Sequence, residues 1–320
     1  MSWPIILKLA GIFAVIGIGW GTGRVGLLGA DGARMLSNAA FYLFTPPLLA
    51  RTTARIELDE LSAVTLLVYF GPVIGLMLVV YGWNRARHRL PPAGPAVRGI
   101  STTFGNSVQL GIPLVAALFG EVGLSVHITL VSMHGLTLLT LLTVLVEVDR
   151  ARAEAEAGRR SGAGRVALTT VRQSVIHPVT LPVLIGLGWN ITGLPIPGPV
   201  DDLLLLLGQG VVPVALIAIG MSLQQFGMVG VARTAVVLSI GKLLVQPTLV
   251  FVAAHWLAGL SGVPLAVLVL CAALPTGSNA LLFAQRYDTL PAEATATIVV
   301  STVAFVLTAP LWLFLTGLSA

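Results

Sequence analysis

The chain has 320 residues, of which 56% are apolar and only 10% charged, with a mean hydropathy of +0.95. An ordinary soluble domain is about 45–50% apolar and about 25% charged, so a soluble enzyme, a nucleic-acid binder and a disordered chain are all excluded. The net charge of +5 reads first as a signal of membrane orientation, and the single Cys271 rules out an intrachain disulfide and a cysteine-rich metal site.

A membrane-spanning helix needs about 20 mostly apolar residues. From the N-terminus onward the pattern predicts ten: residues 3–20, 33–52, 61–83, 98–119, 122–146, 175–192, 200–223, 231–257, 263–285 and 294–315. The first carries Lys8 inside its apolar run and lacks a basic leader region, so it is expected to be retained as a span. The second is interrupted by Thr45-Pro46-Pro47. Trp3, Trp20, Trp83, Trp189, Trp256 and Trp312 all fall near proposed span ends, where amphipathic rings favour the headgroup layer. Fourteen of the 18 lysines and arginines, from Arg24 to Arg286, lie in or beside the loops that follow spans 1, 3, 5, 7 and 9. Lys8, Arg51 and Arg55 lie on the other side, and Lys242 lies within span 8. This bias predicts both termini outside and the loop 148–174 in the cytoplasm of a plasma-membrane protein.

The loop divides the spans five and five, giving halves 1–147 and 175–320. An odd number of spans per half inverts the second half, as in the inverted repeats of secondary transporters. The interruptions match. Span 2 has Pro46-Pro47 and span 7 has Pro213; span 4 has Gly105-Asn106-Ser107 with Gly111-Ile112-Pro113, and span 9 has Pro275-Thr276-Gly277-Ser278-Asn279. Proline removes an amide donor and glycine tolerates non-helical dihedrals. Unwound backbone at membrane depth persists only where it is buried in protein or lines a wet cavity. Pro113 fits the first turn of a restarted helix, and Ser278 or Asn279 fits a cap on the second half of span 9. Free amides at two such starts would form an anion pocket without a formal charge. Gly and Pro also occur in membrane helices as kinks and packing points, but matching breaks with an Asn beside each favour a binding site.

Few ionisable residues fall inside the spans. Lys242 is expected either to snorkel or bond a carbonyl, or to attract anions near the inner vestibule. His134 and Gln246 are further intramembrane polar residues, and Asp201 and Asp202 suit the N-terminus of span 7. No Asp or Glu lies near the middle of any span. Transport could therefore be potential-driven, at about 2.3 kcal/mol per charge per 100 mV. Alternatively, it could be coupled to Na⁺ through neutral oxygens such as those of Thr276 and Ser278, or to protons through His134. No cofactor is expected. An intramembrane enzyme would need paired acids or a zinc motif, which are missing, and a channel would want a ring of pore-lining polar residues.

The strings Gly105-Asn106 … Gly111-Ile112-Pro113-Leu114 and Ala273-Leu274-Pro275-Thr276-Gly277 … Phe283-Ala284-Gln285-Arg286-Tyr287 resemble those of the auxin efflux carrier family, as do Pro46-Pro47-Leu48-Leu49 and His177-Pro178-Val179-Thr180. That group comprises the plant PIN-FORMED carriers and bacterial malate or malonate permeases. The resemblance implies an all-α fold of ten transmembrane helices in two inverted five-helix repeats, with a scaffold part and a transport part whose broken helices 4 and 9 cross at their breaks. It also implies carriage of small organic anions, with Asn106 at the substrate-contacting position and His134 on a span flanking the crossover. The plant carriers have Pro-Asn where this chain has Gly105-Asn106, and a much longer central loop. The partners expected are an organic anion and membrane lipid, with no nucleic acid; a homodimer is compatible with the sequence.

Overall fold

The computed structural model describes residues 3–29, 31–55, 63–87, 90–156, 180–225 and 232–317. Most of the expected cytoplasmic loop, and the His177-Pro178 string, lie outside the described residues. The described chain is all-helical, without a strand. Its helices are α1 (Trp3–Val25), α2 (Gly32–Ala39), α3 (Thr45–Ala54), α4 (Ala63–Ala86), α5 (Gly94–Thr103), α6 (Ile112–Glu156), α7 (Thr180–Ile191), α8 (Gly198–Gln209), α9 (Val211–Gln225), α10 (Ala232–Ile240), α11 (Gln246–Phe251), α12 (Gly262–Ala273), α13 (Asn279–Arg286) and α14 (Pro291–Leu315). Within α6, Gly120 adopts φ 64°, a left-handed value open to glycine, and turns the chain where spans 4 and 5 were expected to divide.

Five stretches among the described residues are long and apolar enough to cross a membrane: Ala63–Ala86, Ser107–Arg150, Gly198–Met221, Arg233–Leu257 and Pro291–Leu315. The ten-span pattern meets that length criterion only in part because several apolar runs are divided into short helices. Large apolar side chains such as Leu67, Val79, Leu206 and Leu307 point outward, as a lipid-facing surface requires. The protein is a multi-pass membrane protein.

Prolines shape the divisions. Turns of the wider π type occupy Ala40–Phe44, Ser107–Gly111 and Gly241–Val245, and each runs directly into a helix with proline at its second residue: Pro46, Pro113 and Pro247. A proline ring excludes the carbonyl four residues earlier and offers no N–H, so the preceding turn loosens. A fourth such turn, Val252–Leu257, ends the same segment.

The helices pack in two groups. In one, α1 lies along α9, and α3 lies along α7 and α8. Glycines set these contacts: a Cβ on Gly220 would fall 2.0 Å from the Ile16 carbonyl oxygen, one on Gly19 2.3 Å from that of Ile217, and one on Gly186 2.5 Å from that of Ala50. Helices without side chains at the crossing approach backbone to backbone, the usual means of association in lipid. In the other group α11, α14 and α6, with a smaller contact from α4, pack on α12, and α5, α10 and α13 join through α14; α12 is buried without a break from Leu265 to Ala273. A helix apolar on all sides belongs in such a centre. Helix α6 touches both groups, and the segment Ser107–Gly111 packs on α6 and α9.

Candidate functional site

Helix α5, entered through Pro95, and the central helix α12 both stop abruptly. Phe104 turns extended (ψ 104°), and Leu274 does the same (ψ 145°), as a residue before proline is constrained to do. The two extended pieces meet as an isolated antiparallel bridge between Gly105 and Thr276. The Asn106 amide donates to the Pro275 carbonyl at 2.7 Å, and the Gly277 amide donates to the Phe104 carbonyl at 2.9 Å. Two unwound segments thus satisfy one another's backbone groups in the interior, where an unpaired one would be costly. Glycine is required at the crossing: a Cβ on Gly277 would stand 2.9 Å from the Gly105 carbonyl oxygen.

Beyond the bridge the chain re-enters helix on both sides, at Ser107 and at Asn279. A cavity of about 280 Å³ lies against these starts, lined by Gly105, Asn106, Ser107, Gln109, Gly277, Ser278 and Asn279, with Ser37, Asn38 and Tyr42 from the expected second span. An adjoining cavity of about 300 Å³ shares Ser37, Asn106, Gln109 and Ser278 and reaches Arg34. The carboxamides of Asn106, Gln109 and Asn279 line this space and make no hydrogen bond to the described protein.

Six of the residues singled out from sequence therefore come together at the cavity: Gly105, Asn106, Ser107, Gly277, Ser278 and Asn279. The free amides sit earlier than Pro113 implied. The Asn106 carbonyl accepts from the amides of Leu110 and Gly111, so the helix restarts at Ser107, and the uncommitted first-turn donors are those of Ser107, Val108 and Gln109. Gly111 is packed instead against His127, whose Nε2 lies 2.8 Å from the Ser107 carbonyl oxygen. Ser278 holds the cap position of α13 without a side-chain cap bond.

Pro275 and Thr276 lie behind the cavity. The Thr276 hydroxyl donates to the Ser101 carbonyl at 2.7 Å and its amide donates to Ser301 Oγ at 3.0 Å. Gln246 donates to the Thr103 carbonyl at 3.1 Å. His134 is buried with its ring edge-on to Phe104, 4.6 Å between centroids, and its Nδ1 is 3.4 Å from the Tyr69 hydroxyl. Lys242 does not snorkel: it is wholly buried and donates to the Ala272 carbonyl. Asp201, expected at a helix start, does more than complement a helix end. It accepts from Arg51 at 2.9 Å and pairs with Arg55 at 2.7 Å, while Arg51 also pairs with Glu121 at 2.7 Å.

Sequence reasoning missed Ser37, Asn38, Tyr42 and Gln109. Three polar residues close together on an otherwise apolar span were the available signal for the first three.

A family model described as membrane transport protein matches residues 4–313 of the chain. A protein of Rhizobium meliloti named as a malonate transporter is 24% identical over 297 residues, 92% of this chain and 91% of the relative. Auxin efflux carrier component 8 of Arabidopsis thaliana is 24% identical over 264 residues, covering 68% of this chain and 70% of the carrier. An uncharacterized transporter of Methanothermobacter thermautotrophicus is 25% identical over 291 residues, 90% of each chain.

Proposed function

The chain belongs to the membrane transport protein family that includes the auxin efflux carriers, and we propose that it carries small organic anions across the plasma membrane by alternating access. Mono- and dicarboxylates are the favoured substrates, in keeping with the names of the malonate and auxin relatives. The observation that carries this reading is the set of three unpartnered carboxamides, Asn106, Gln109 and Asn279, around one cavity at two helix starts. Carboxamide N–H groups and first-turn amides are donors suited to a carboxylate.

In this reading the chain has ten spans in two inverted repeats, and spans 4 and 9 are the broken pair that cross at the Gly105–Thr276 bridge. Reciprocal packing supports the inversion. Span 1 meets span 7 through Gly19 and Gly220, and its repeat partner, span 6, meets span 2 through Gly186 and Ala50. The group built on α1, α3, α7, α8 and α9 is the scaffold, and the group around α12 moves against it. The cavity reaches Arg34, on the side expected to be cytoplasmic. At the opposite expected side, Arg51 of the scaffold pairs with Glu121 at the Gly120 turn, which supports reading the described arrangement as inward-facing.

The test is a thermal-shift and proteoliposome-uptake series with carboxylic acids. Substrate-dependent stabilisation and saturable uptake are expected, and both should vanish in Asn106→Ala while the purified protein stays monodisperse. Uptake by Asn106→Ala equal to that of the parent would overturn the site.

A further inference from the structure

We propose that the buried ammonium of Lys242 is the counter-charge of the transported anion, so that binding needs no Na⁺ to balance it. The inference rests on the crossover being the anion site.

The placement begins with the backbone. Lys242 lies in the π turn Gly241–Val245, where the loosened winding ahead of Pro247 brings the chain close to α5; a Cβ on Gly241 would stand 2.7 Å from Thr102 Cγ2. Trp312 fixes the same turn by donating to the Leu243 carbonyl at 2.8 Å. From there the Lys242 side chain runs inward to the last turn of α12. Its Nζ donates to the Ala272 carbonyl and lies 3.5 Å from where a Cβ on Gly105 would be. Gly105 itself lines the cavity. The ammonium and the anion pocket are thus on opposite sides of one glycine backbone.

No described side chain around it carries the opposite charge. The groups around it are Cys271 of α12, His134 of α6 and Tyr69 of α4, whose hydroxyl is 3.2 Å from Cys271 Sγ and 3.4 Å from His134 Nδ1. His127 lies about two turns before His134 on α6. Among the described residues no carboxylate pairs with Lys242. A buried charge needs a partner of opposite sign, and an anion beyond Gly105 supplies one.

Five backbone carbonyls around the crossover that a metal cation could use each already accept a hydrogen bond, while Gln246 Oε1 and Ser101 Oγ are buried without a partner among the described residues. Carbonyls of Ser101, Thr103, Phe104, Ala272 and Pro275 accept from Thr276, Gln246, Gly277, Lys242 and Asn106 respectively. A hard cation such as Na⁺ takes several such oxygens at once. At these five carbonyls one amino group, two amides, a hydroxyl and a carboxamide already donate, and the ammonium brings the positive charge a cation would supply.

The experiment measures binding of a carboxylate panel (malonate, succinate, acetate and indole-3-acetate) to purified full-length protein, at one pH, in matched Na⁺ and choline solutions. The parent is expected to bind with equal affinity in both. Lys242→Met should bind at least about tenfold more weakly in both, with an unliganded melting temperature equal to or above the parent's, since a neutral side chain replaces an unbalanced buried charge. Lys242→Gln, which keeps a donor for Ala272 but no charge, should lose as much; a purely structural lysine would instead lower the melting temperature and leave affinity alone. A Na⁺ requirement in the parent, or parent-like affinity in both Lys242 variants, overturns the proposal. Asn106→Ala separates the two readings. If it loses binding while the Lys242 variants keep it, only the counter-charge fails; if it binds like the parent, or no anion binds the parent, the crossover reading falls and this one with it.

Discussion

The break after Thr103 and the break after Ala273 carry similar punctuation and are wired differently. The second is committed: the Thr276 amide and hydroxyl and the Gly277 amide all have protein partners, and Thr276 is wholly buried. The first is open: beyond the Asn106 amide, its carboxamides and its first-turn donors look into the cavity without a protein partner. Both breaks build the joint, and the first presents more of the free donors, with Ser278 and Asn279 as the second's share of the cavity lining. Resemblance between two sequence motifs therefore says where helices stop, and not which of the freed groups remains available to a ligand.

Substitutions should separate the two roles, and the largest effect belongs to the joint. Gly277→Val pushes a branched side chain toward the Gly105 carbonyl, which a single Cβ would already approach to 2.9 Å. Backbone cannot yield there as a side-chain tip could, so we expect loss of uptake and a destabilisation of about 3 kcal/mol or more, read as an early melting transition. Asn106→Ala comes next. It should weaken carboxylate binding by about tenfold or more and leave the melting temperature nearly unchanged, because the carboxamide has no protein partner to lose. Equal stability loss in Asn106→Ala and Gly277→Val would erase the distinction between the breaks.

Thr276→Val sharpens the comparison from the other side. It removes the 2.7 Å bond to the Ser101 carbonyl and strands a buried acceptor. The expected cost is about 1–3 kcal/mol of stability, with affinity for carboxylates largely kept in a ligand titration. The smallest effect is expected away from both breaks. Glu121 is two-thirds exposed, at 66% of its side chain, so Glu121→Gln should shift stability by about 1 kcal/mol or less. Its consequence should appear instead in access: a cysteine placed on the expected outer side of the Gly105–Asn106 segment should label faster once the bond to Arg51 is gone.

Much of this was legible in the sequence because it follows from composition and from residues with unusual backbones. The membrane class, the two interruptions, the division of spans 4 and 5 and the place of Asn106 beside the first interruption all rest on apolar runs, glycines, prolines and an amide side chain. What escaped depends on partners distant in the chain. Pro113 marks a helix start, but the π turn ahead of it moves the free donors back to Ser107–Gln109. Thr276 and Ser278 look equally polar in the sequence, yet a carbonyl 175 positions away claims the first and leaves the second at the cavity. Lys242 sits where its side chain could have reached the membrane surface, and only the packing of α12 against the π turn shows that it turns inward. Asp201 illustrates the same gap, since its salt bridges come from an arginine 150 positions earlier and from Arg55.

The reciprocal pair of amide bonds at the Gly105–Thr276 bridge has a mechanical consequence. Two ribbons stitched in both directions cannot slip past one another without tearing the stitches in a medium that offers no water to replace them. In the proposed carrier, cargo gripped at that seam would be conveyed by translation of the seam as a single bead, and the flexing needed for release would be displaced to the periphery, such as the bend at Gly120.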